Sequence, residues 1–123
     1  MEKIKILVVD DEARMRKLVK DFLVKKNFDV IEAENGEAAC DIFFDDQSIG
    51  LIILDVMMPK INGYKVCRLL KFDAKYKDIP ILMVTARSQD EDKVIGEETG
   101  ANEYITKPFQ VDYVLEKVKS YLG

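Results

Sequence analysis

Histidine is absent from this chain of 123 residues, and that single absence excludes much chemistry. No Ser-His-Asp triad, Cys-His pair or His-ligated zinc can be assembled from it. Any catalysis has to use carboxylates, lysine, threonine or a hard cation. Tryptophan is also missing, and 19 Lys and Arg stand against 23 Asp and Glu, a formal charge of −4. No basic stripe gathers, so direct nucleic-acid contact by this chain is not expected. Long apolar runs are lacking: Ile4 to Val9 is broken by Lys5, and Leu51 to Leu54 is far shorter than the ~20 residues of a membrane span. Met1-Glu2-Lys3 leads directly into a strand-like run and leaves no room for a signal peptide, so a cytoplasmic protein without membrane contact is expected. Cys40 and Cys67 lie in helix-like segments at no metal-ligand spacing and read as small buried apolar residues.

What is present is a globular composition, 48% hydrophobic and 34% charged. A chain of this size buries roughly two thirds of its unfolded surface, enough for one core without disulfides. Residues 1–123 are expected to form a single domain, either stand-alone or the N-terminal part of a longer protein.

Five short apolar runs alternate with helix-length segments: Ile4 to Val9, Asp29 to Ala33, Leu51 to Asp55, Ile81 to Thr85 and Glu103 to Thr106. From Ala13 to Lys25, Met15, Leu18, Val19, Phe22 and Leu23 recur at helical spacing, and this stripe predicts an amphipathic helix. Gln110 to Leu122 repeats it with Val111, Val114, Leu115, Val118 and Leu122. Shorter helices are expected over Glu37 to Phe44 and Tyr64 to Phe72, opened by Asn35-Gly36 and Asn62-Gly63, where Asn can cap the first turn. A further helix, Gln89 to Thr99, offers only Val94 and Ile95 as clear inward residues and stops at Gly100; it is expected to be sparsely packed and mobile.

Leu51-Ile52-Ile53-Leu54 and Ile81-Leu82-Met83-Val84 are apolar without alternation, as strands covered by helices on both faces require. Right-handed crossovers then give an α/β, doubly wound, flavodoxin-like fold. The expected sheet has five parallel strands in the order 2-1-3-4-5 with five helices.

Sites in such sheets lie beyond the carboxyl ends of the strands. Those ends carry Asp10 and Asp11 after the first strand, Asp55 on the third, Thr85 on the fourth and Lys107 after the fifth. Three carboxylates in close proximity repel unless protons or a cation offset them. An all-oxygen donor set with room for water suits Mg2+, or Mn2+, better than zinc or copper. Capping of the first helix is the alternative role for Asp10 and Asp11. For Asp55 the alternative is weaker, because an unpaired carboxylate at the buried end of an apolar strand costs several kcal/mol. Pro108 restricts the chain at Lys107 and can aim its ammonium inward through a cis bond, against the plainer role of a surface lysine. Thr85 could equally be a β-branched strand residue.

Val8-Val9-Asp10-Asp11-Glu12, Leu54-Asp55-Val56-Met57-Met58-Pro59, Val84-Thr85-Ala86 and Lys107-Pro108-Phe109 follow in this order, each at a strand end. With these four motifs the chain resembles, over essentially its whole length, the receiver domain of two-component response regulators, chemotaxis-regulator-like. The resemblance implies a phosphorylation-dependent switch rather than an enzyme with turnover. Asp55 would accept a phosphoryl group from a histidine of a separate sensor kinase or phosphotransfer protein. Asp11 would ligate the metal directly and Asp10 through water, with Asp55 and the Met57 carbonyl completing the protein ligands. Lys107 and Thr85 would contact the phosphoryl oxygens. Tyr104 stands where the family has its switch aromatic, and the readout surface would be the fourth helix, fifth strand and fifth helix, facing an effector or a phosphorylation-dependent homodimer. Met57 and Arg87 would tune phosphoryl lifetime: apolar Met57 cannot orient the attacking water, and Arg87 covers it.

Three rivals remain at this level. A haloacid-dehalogenase-type phosphohydrolase wants two Asp spaced by two in the first strand's loop, whereas Asp10 and Asp11 are adjacent. A flavodoxin-like electron carrier has to cradle a phosphate where Asp10-Asp11-Glu12 would repel one. A receiver-shaped interaction module would never carry phosphate.

Overall fold

In the computed structural model, which describes residues 3–46, 48–55, 63–71, 73, 77–85 and 101–122, five strands form one parallel sheet in the order β2-β1-β3-β4-β5. The strands are β1 (Lys5–Val9), β2 (Asp29–Ala33), β3 (Ile49–Asp55), β4 (Ile81–Thr85) and β5 (Glu103–Thr106), and the helices are α1 (Ala13–Lys25), α2 (Gly36–Asp45), α3 (Gly63–Lys71) and α4 (Val111–Leu122). The expected strand order therefore holds, but the expected count of five helices is corrected to four among the described residues. The segment Gln89 to Thr99 lies outside them. Its two apolar residues made it the thinnest of the five stripes, well short of the apolar face that normally fixes a surface helix. Among the described residues no helix is long and apolar enough to cross a membrane.

The uninterrupted apolar strands are explained by two cores. Side chains alternate across a strand, so Leu7, Val9, Ile52, Leu54, Ile81 and Met83 join Ala39, Phe43, Val66, Cys67 and Leu70 on one face of the sheet. Ile6, Val8, Leu51, Ile53, Leu82, Val84 and Ile105 join Val19, Leu23, Val114, Leu115 and Val118 on the other. Each central strand buries both faces, and a polar residue is tolerated only at its end.

Helix α1 ends in a Schellman arrangement: the Phe28 N–H donates to Leu23 O at 3.2 Å and the Asn27 N–H to Val24 O at 3.0 Å, with Asn27 in the left-handed region at φ 74°. That conformation is one Asn tolerates, and Phe28 and Leu23 share the core. Helix α2 starts as its sequence predicts, with Asn35 Oδ1 accepting from the Ala38 N–H at 2.8 Å and so satisfying one of the first-turn amides. Leu18 departs from expectation and is 53% exposed. At about 100° per residue it points about 100° from Val19 and about 140° from Leu23, outside the arc those two bury. Strand β3 begins earlier than its apolar run, because β1 pairs Lys5 with Ile49 and Ile6 with Leu51, a register shift that leaves Gly50 as a bulge. A Cβ there would meet Ile4 Cγ2 at 3.1 Å.

Candidate functional site

At the carboxyl edge of the sheet the pairing stacks the strand ends side by side. Val9 is level with Leu54, Asp55 with Val84, and Thr85 with Thr106. Asp10 therefore emerges directly after β1, Asp55 and Thr85 end β3 and β4, and Lys107 follows β5. Asp10 and Asp55 are each 5% exposed and Thr85 is fully buried, while Asp11 faces solvent.

One carboxylate oxygen from each of Asp10, Asp11 and Asp55 lies within 4.8 Å of the others. Lys107 Nζ sits 3.2 Å from Asp10 Oδ2 and 3.7 Å from Asp55 Oδ2. The Lys107 main-chain N–H donates to Thr85 O at 2.6 Å, which fixes the lysine beside Thr85, and the Lys107–Pro108 bond is cis. The three carboxylates and the Lys107 ammonium are thus brought together, and Thr85 adjoins them through the main-chain bond from Lys107. Three carboxylates against one ammonium leave a formal charge of −2, and among the described residues the grouped metal-ligating atoms are all carboxylate oxygens. That set fits a hard divalent cation, with exposed Asp11 leaving an open side for water.

The capping alternative for the acid pair is not what the loop does. The N-cap residue of α1 is Glu12, which makes no side-chain cap bond, and Asp10 Oδ1 instead accepts from the Glu12 N–H at 2.9 Å. Asp10 is held at every polar atom. Its N–H donates to Ala33 O at 3.1 Å, its Oδ2 takes the Lys107 bond, and its carbonyl accepts from Arg16 Nη1 at 2.8 Å.

Arg16 was not singled out by sequence, nor was its partner Glu32. Arg16 Nε lies 3.2 Å from Glu32 Oε1 and Lys20 Nζ 3.2 Å from Glu32 Oε2. Burial is the largest single influence on the Glu32 carboxyl and acts to raise its pKa, but the hydrogen bonds and charges of Lys20 and Arg16 together outweigh it and hold it below the ordinary carboxylate range. A trace was present in the sequence, in basic residues four apart on a helix facing an acidic strand residue, yet such spacing is common on solvated faces.

Tyr104 lies half-buried on β5, level with Met83, and packs against the core on the α2 and α3 side. Met57 and Arg87 lie outside the described residues.

Residues 6–119 match the family model described as "Response regulator receiver domain". The chain belongs to that family. Among curated relatives, a "Probable transcriptional regulator ycf27" of Porphyridium aerugineum is 43% identical over 99% of this chain and 49% of its own length; the chain spans about half the length of the curated relatives it matches. A structure of a putative response regulator from Chloroflexus aurantiacus superposes with a TM-score of 0.93 at 31% identity, covering 98% of each chain. The chemotaxis response regulator CheY4 of Vibrio cholerae superposes with a TM-score of 0.91 at 29% identity, covering 98% of this chain and 99% of the other. Receiver domains are phosphoacceptor switches of two-component systems and work by autocatalytic phosphoryl transfer rather than as enzymes with turnover. Membership removes the electron-carrier and phosphohydrolase readings. The acidic cluster of this receiver domain suits the phosphoacceptor and metal roles that the family requires.

Proposed function

We propose that Asp55 is the phosphoacceptor of a two-component switch and that the observation carrying this reading is its place: 5% exposed at the end of β3, 3.7 Å from Lys107 and grouped with Asp10 and Asp11. An ionised carboxylate needs no general base. A carboxylate oxygen of Asp55 attacks the phosphorus of a phosphohistidine on a sensor kinase or phosphotransfer protein. The P–N bond breaks, and its electron pair returns to the imidazole. Lys107 offsets charge on the transferred oxygens, and in-line transfer through a loose transition state asks the protein mainly for positioning and charge. The product is an acyl phosphate, from which water later releases inorganic phosphate and restores the carboxylate.

Asp11, exposed and less constrained, would hold Mg2+ or Mn2+ directly. Asp10, with both oxygens already engaged, would do so through water, and Asp55 and the Met57 carbonyl would complete the set. When bound, the ion supplies the positive charge that lets a dianionic phosphoryl group approach three carboxylates. Apolar Met57 and Arg87 would set the lifetime of the acyl phosphate, so that Met57→Asn speeds its decay.

Thr85 and Tyr104 relay the change in this reading. Met83 and Thr85 project to one face of β4 by strand alternation, and Tyr104 is level with Met83 on β5, so the two proposed switch residues share a face. Contacts to the phosphoryl group made only in the active arrangement would shift a pre-existing population. The readout surface is β5, α4 and the segment Gln89 to Thr99, offered to an effector or to a second phosphorylated copy. Relatives named as transcriptional regulators support an output in transcription, with residues 1–123 as a single receiver domain.

The test is intact-mass measurement after incubation with Mg2+ and acetyl phosphate. One phosphoryl adduct on the parent and none on Asp55→Asn is expected. No adduct on the parent would favour a receiver-shaped interaction module that never carries phosphate.

A further inference from the structure

Both main-chain polar groups of Asp10 are tied toward β2, the strand at the far edge of the sheet. Its N–H bonds to Ala33 O. Its carbonyl is held by Arg16 Nη1 at 2.8 Å, and the same guanidinium is braced through Nε by Glu32 Oε1 at 3.2 Å, one residue before Ala33. Lys20 Nζ closes the other side of the carboxylate at 3.2 Å from Glu32 Oε2. The Arg16 main-chain N–H also donates to Glu12 O at 3.0 Å. A single residue thus holds the acidic turn at Asp10 with its side chain and at Glu12 with its main-chain N–H, with Asp11 between them.

We infer that Arg16, braced by Glu32, is a positioning residue for the cation site, holding the turn from which Asp10 and Asp11 project. The inference rests on the metal-site reading above. Its chemistry is distinctive because the electrostatic and geometric effects of Arg16 oppose one another. A guanidinium bonded to the main-chain carbonyl of one cluster residue adds positive charge near the site and disfavours an incoming cation, so deletion of its charge alone would tighten cation binding. Loss of the grip lets the turn relax and weakens binding, since the carboxylates must be reordered around the ion. Glu32 has two effects of the same sign: it steadies Arg16 and cancels its charge, and without it Arg16 is free to compete with a cation for the Asp carboxylates. The planar fork of Arg spans two acceptors that the shorter reach of a lysine ammonium does not reproduce.

The experiment is calorimetric titration of the parent, Arg16→Gln, Arg16→Lys, Glu32→Gln and the Arg16→Gln/Glu32→Gln double variant with Mg2+, with Asp11→Asn as control. Urea unfolding without metal runs alongside to confirm that each variant is folded. Arg16→Gln is expected to raise Kd about ten-fold although it removes a positive charge, and Arg16→Lys to raise it by a similar factor at unchanged charge. Glu32→Gln should weaken binding in the parent background and have little effect in the Arg16→Gln background, a non-additivity that marks action through one residue. A parent Kd retained or tightened in folded Arg16→Gln and Arg16→Lys overturns the inference while leaving the cation site intact. A parent that takes up no Mg2+, or an Asp11→Asn variant that binds as tightly as the parent, overturns the metal-site reading itself and the inference with it.

Discussion

Neutralising one member of the acidic cluster should make the metal-free protein more stable, and the reversal of that order by Mg2+ is the sharpest consequence of the site's geometry. Asp11→Asn keeps shape and removes one charge from a group whose carboxylate oxygens lie within 4.8 Å of one another. At that separation two unit charges repel by about 0.9 kcal/mol at the dielectric of water and about 3.5 kcal/mol at an effective value near 20. Asp11 is exposed, so each of its two repulsions lies toward the lower figure, and the variant also forfeits some attraction to Lys107. A net gain of about 1–2 kcal/mol in the presence of a chelator is expected. With Mg2+ at about one hundred times Kd the parent gains about 2.7 kcal/mol by mass action, while the variant, short of one ligand, gains much less. The stability order then inverts. Urea unfolding followed by circular dichroism, with chelator and with Mg2+, measures both differences, and the slope m should be the same for both proteins. An Asp11→Asn variant less stable than the parent in chelator, or equal Mg2+ stabilisation of the two, would refute the reasoning.

Phe43 is fully buried on α2 among β1, β3 and α3 residues, so Phe43→Ala should cost about 3–5 kcal/mol in urea unfolding; a loss under 1 kcal/mol would mean that the site collapses or that the ring is not packed as described. Lys5 Nζ lies 2.7 Å from Asp46 Oδ2, and hydrogen bonds first from Lys5 and then from Ser48 pull the Asp46 carboxyl down to about 2 from 3.8. A folded-state pKa below the unfolded one gives stability that is present above the unfolded value and is lost as pH falls, here between 3.8 and about 2. Lys5→Gln should flatten that part of the acid-unfolding profile, and superimposable profiles for the two proteins would contradict it. Burial first, and then the charges of Asp41 and Glu37, push the Cys40 thiol up, while Cys67 is fully buried. Native protein should therefore react with a thiol reagent more slowly than unfolded protein and at no more than one site; rapid modification of both cysteines would be the opposing result.

How much of this was legible in the sequence depends on whether a residue's role is set by chain position or by a partner far along the chain. The central strands were legible because burial on both faces leaves a run with no polar interruption. Once the strand order followed, the strand-end residues Asp10, Asp55, Thr85 and Lys107 had to meet. The Asn35 cap was equally local. Leu18 was misjudged because a stripe read at i, i+3 and i+4 spacing does not reveal which side of the arc meets the sheet. The early start of β3 was hidden by Gly50, whose lack of a side chain permits the bulge but breaks the apolar run. Arg16 and Glu32 were invisible because they become partners only through the pairing of β1 with β2, and neither carries a motif.

The two ends of the sheet are built on opposite electrostatic principles. The reactive edge gathers like charges, whereas the amino-terminal edge is closed by satisfied polar contacts. There Asn102 stands in for a strand neighbour: its N–H donates to Ile81 O at 2.9 Å and its Oδ1 accepts from the Ile81 N–H at 3.0 Å. The same oxygen takes a bond from Lys71 Nζ at 2.9 Å, and Lys71 also donates to Ile79 O at 2.9 Å. The Asn102 carbonyl accepts from the Tyr121 hydroxyl at 2.7 Å. One exposed asparagine therefore joins α3, β4, the start of β5 and α4. Asn102→Ala strips a partner from both Ile81 and Lys71, and an amide left without its acceptor at a part-buried position costs about 1–3 kcal/mol. Hydrogen exchange at the Ile81 amide should quicken by about ten-fold or more in that variant, and Asp11→Asn should leave it unchanged or slower. If charge neutralisation at the far edge instead quickened exchange at Ile81, the two ends would be one cooperative unit, and the separation of a like-charged reactive edge from a closed supporting one would be wrong.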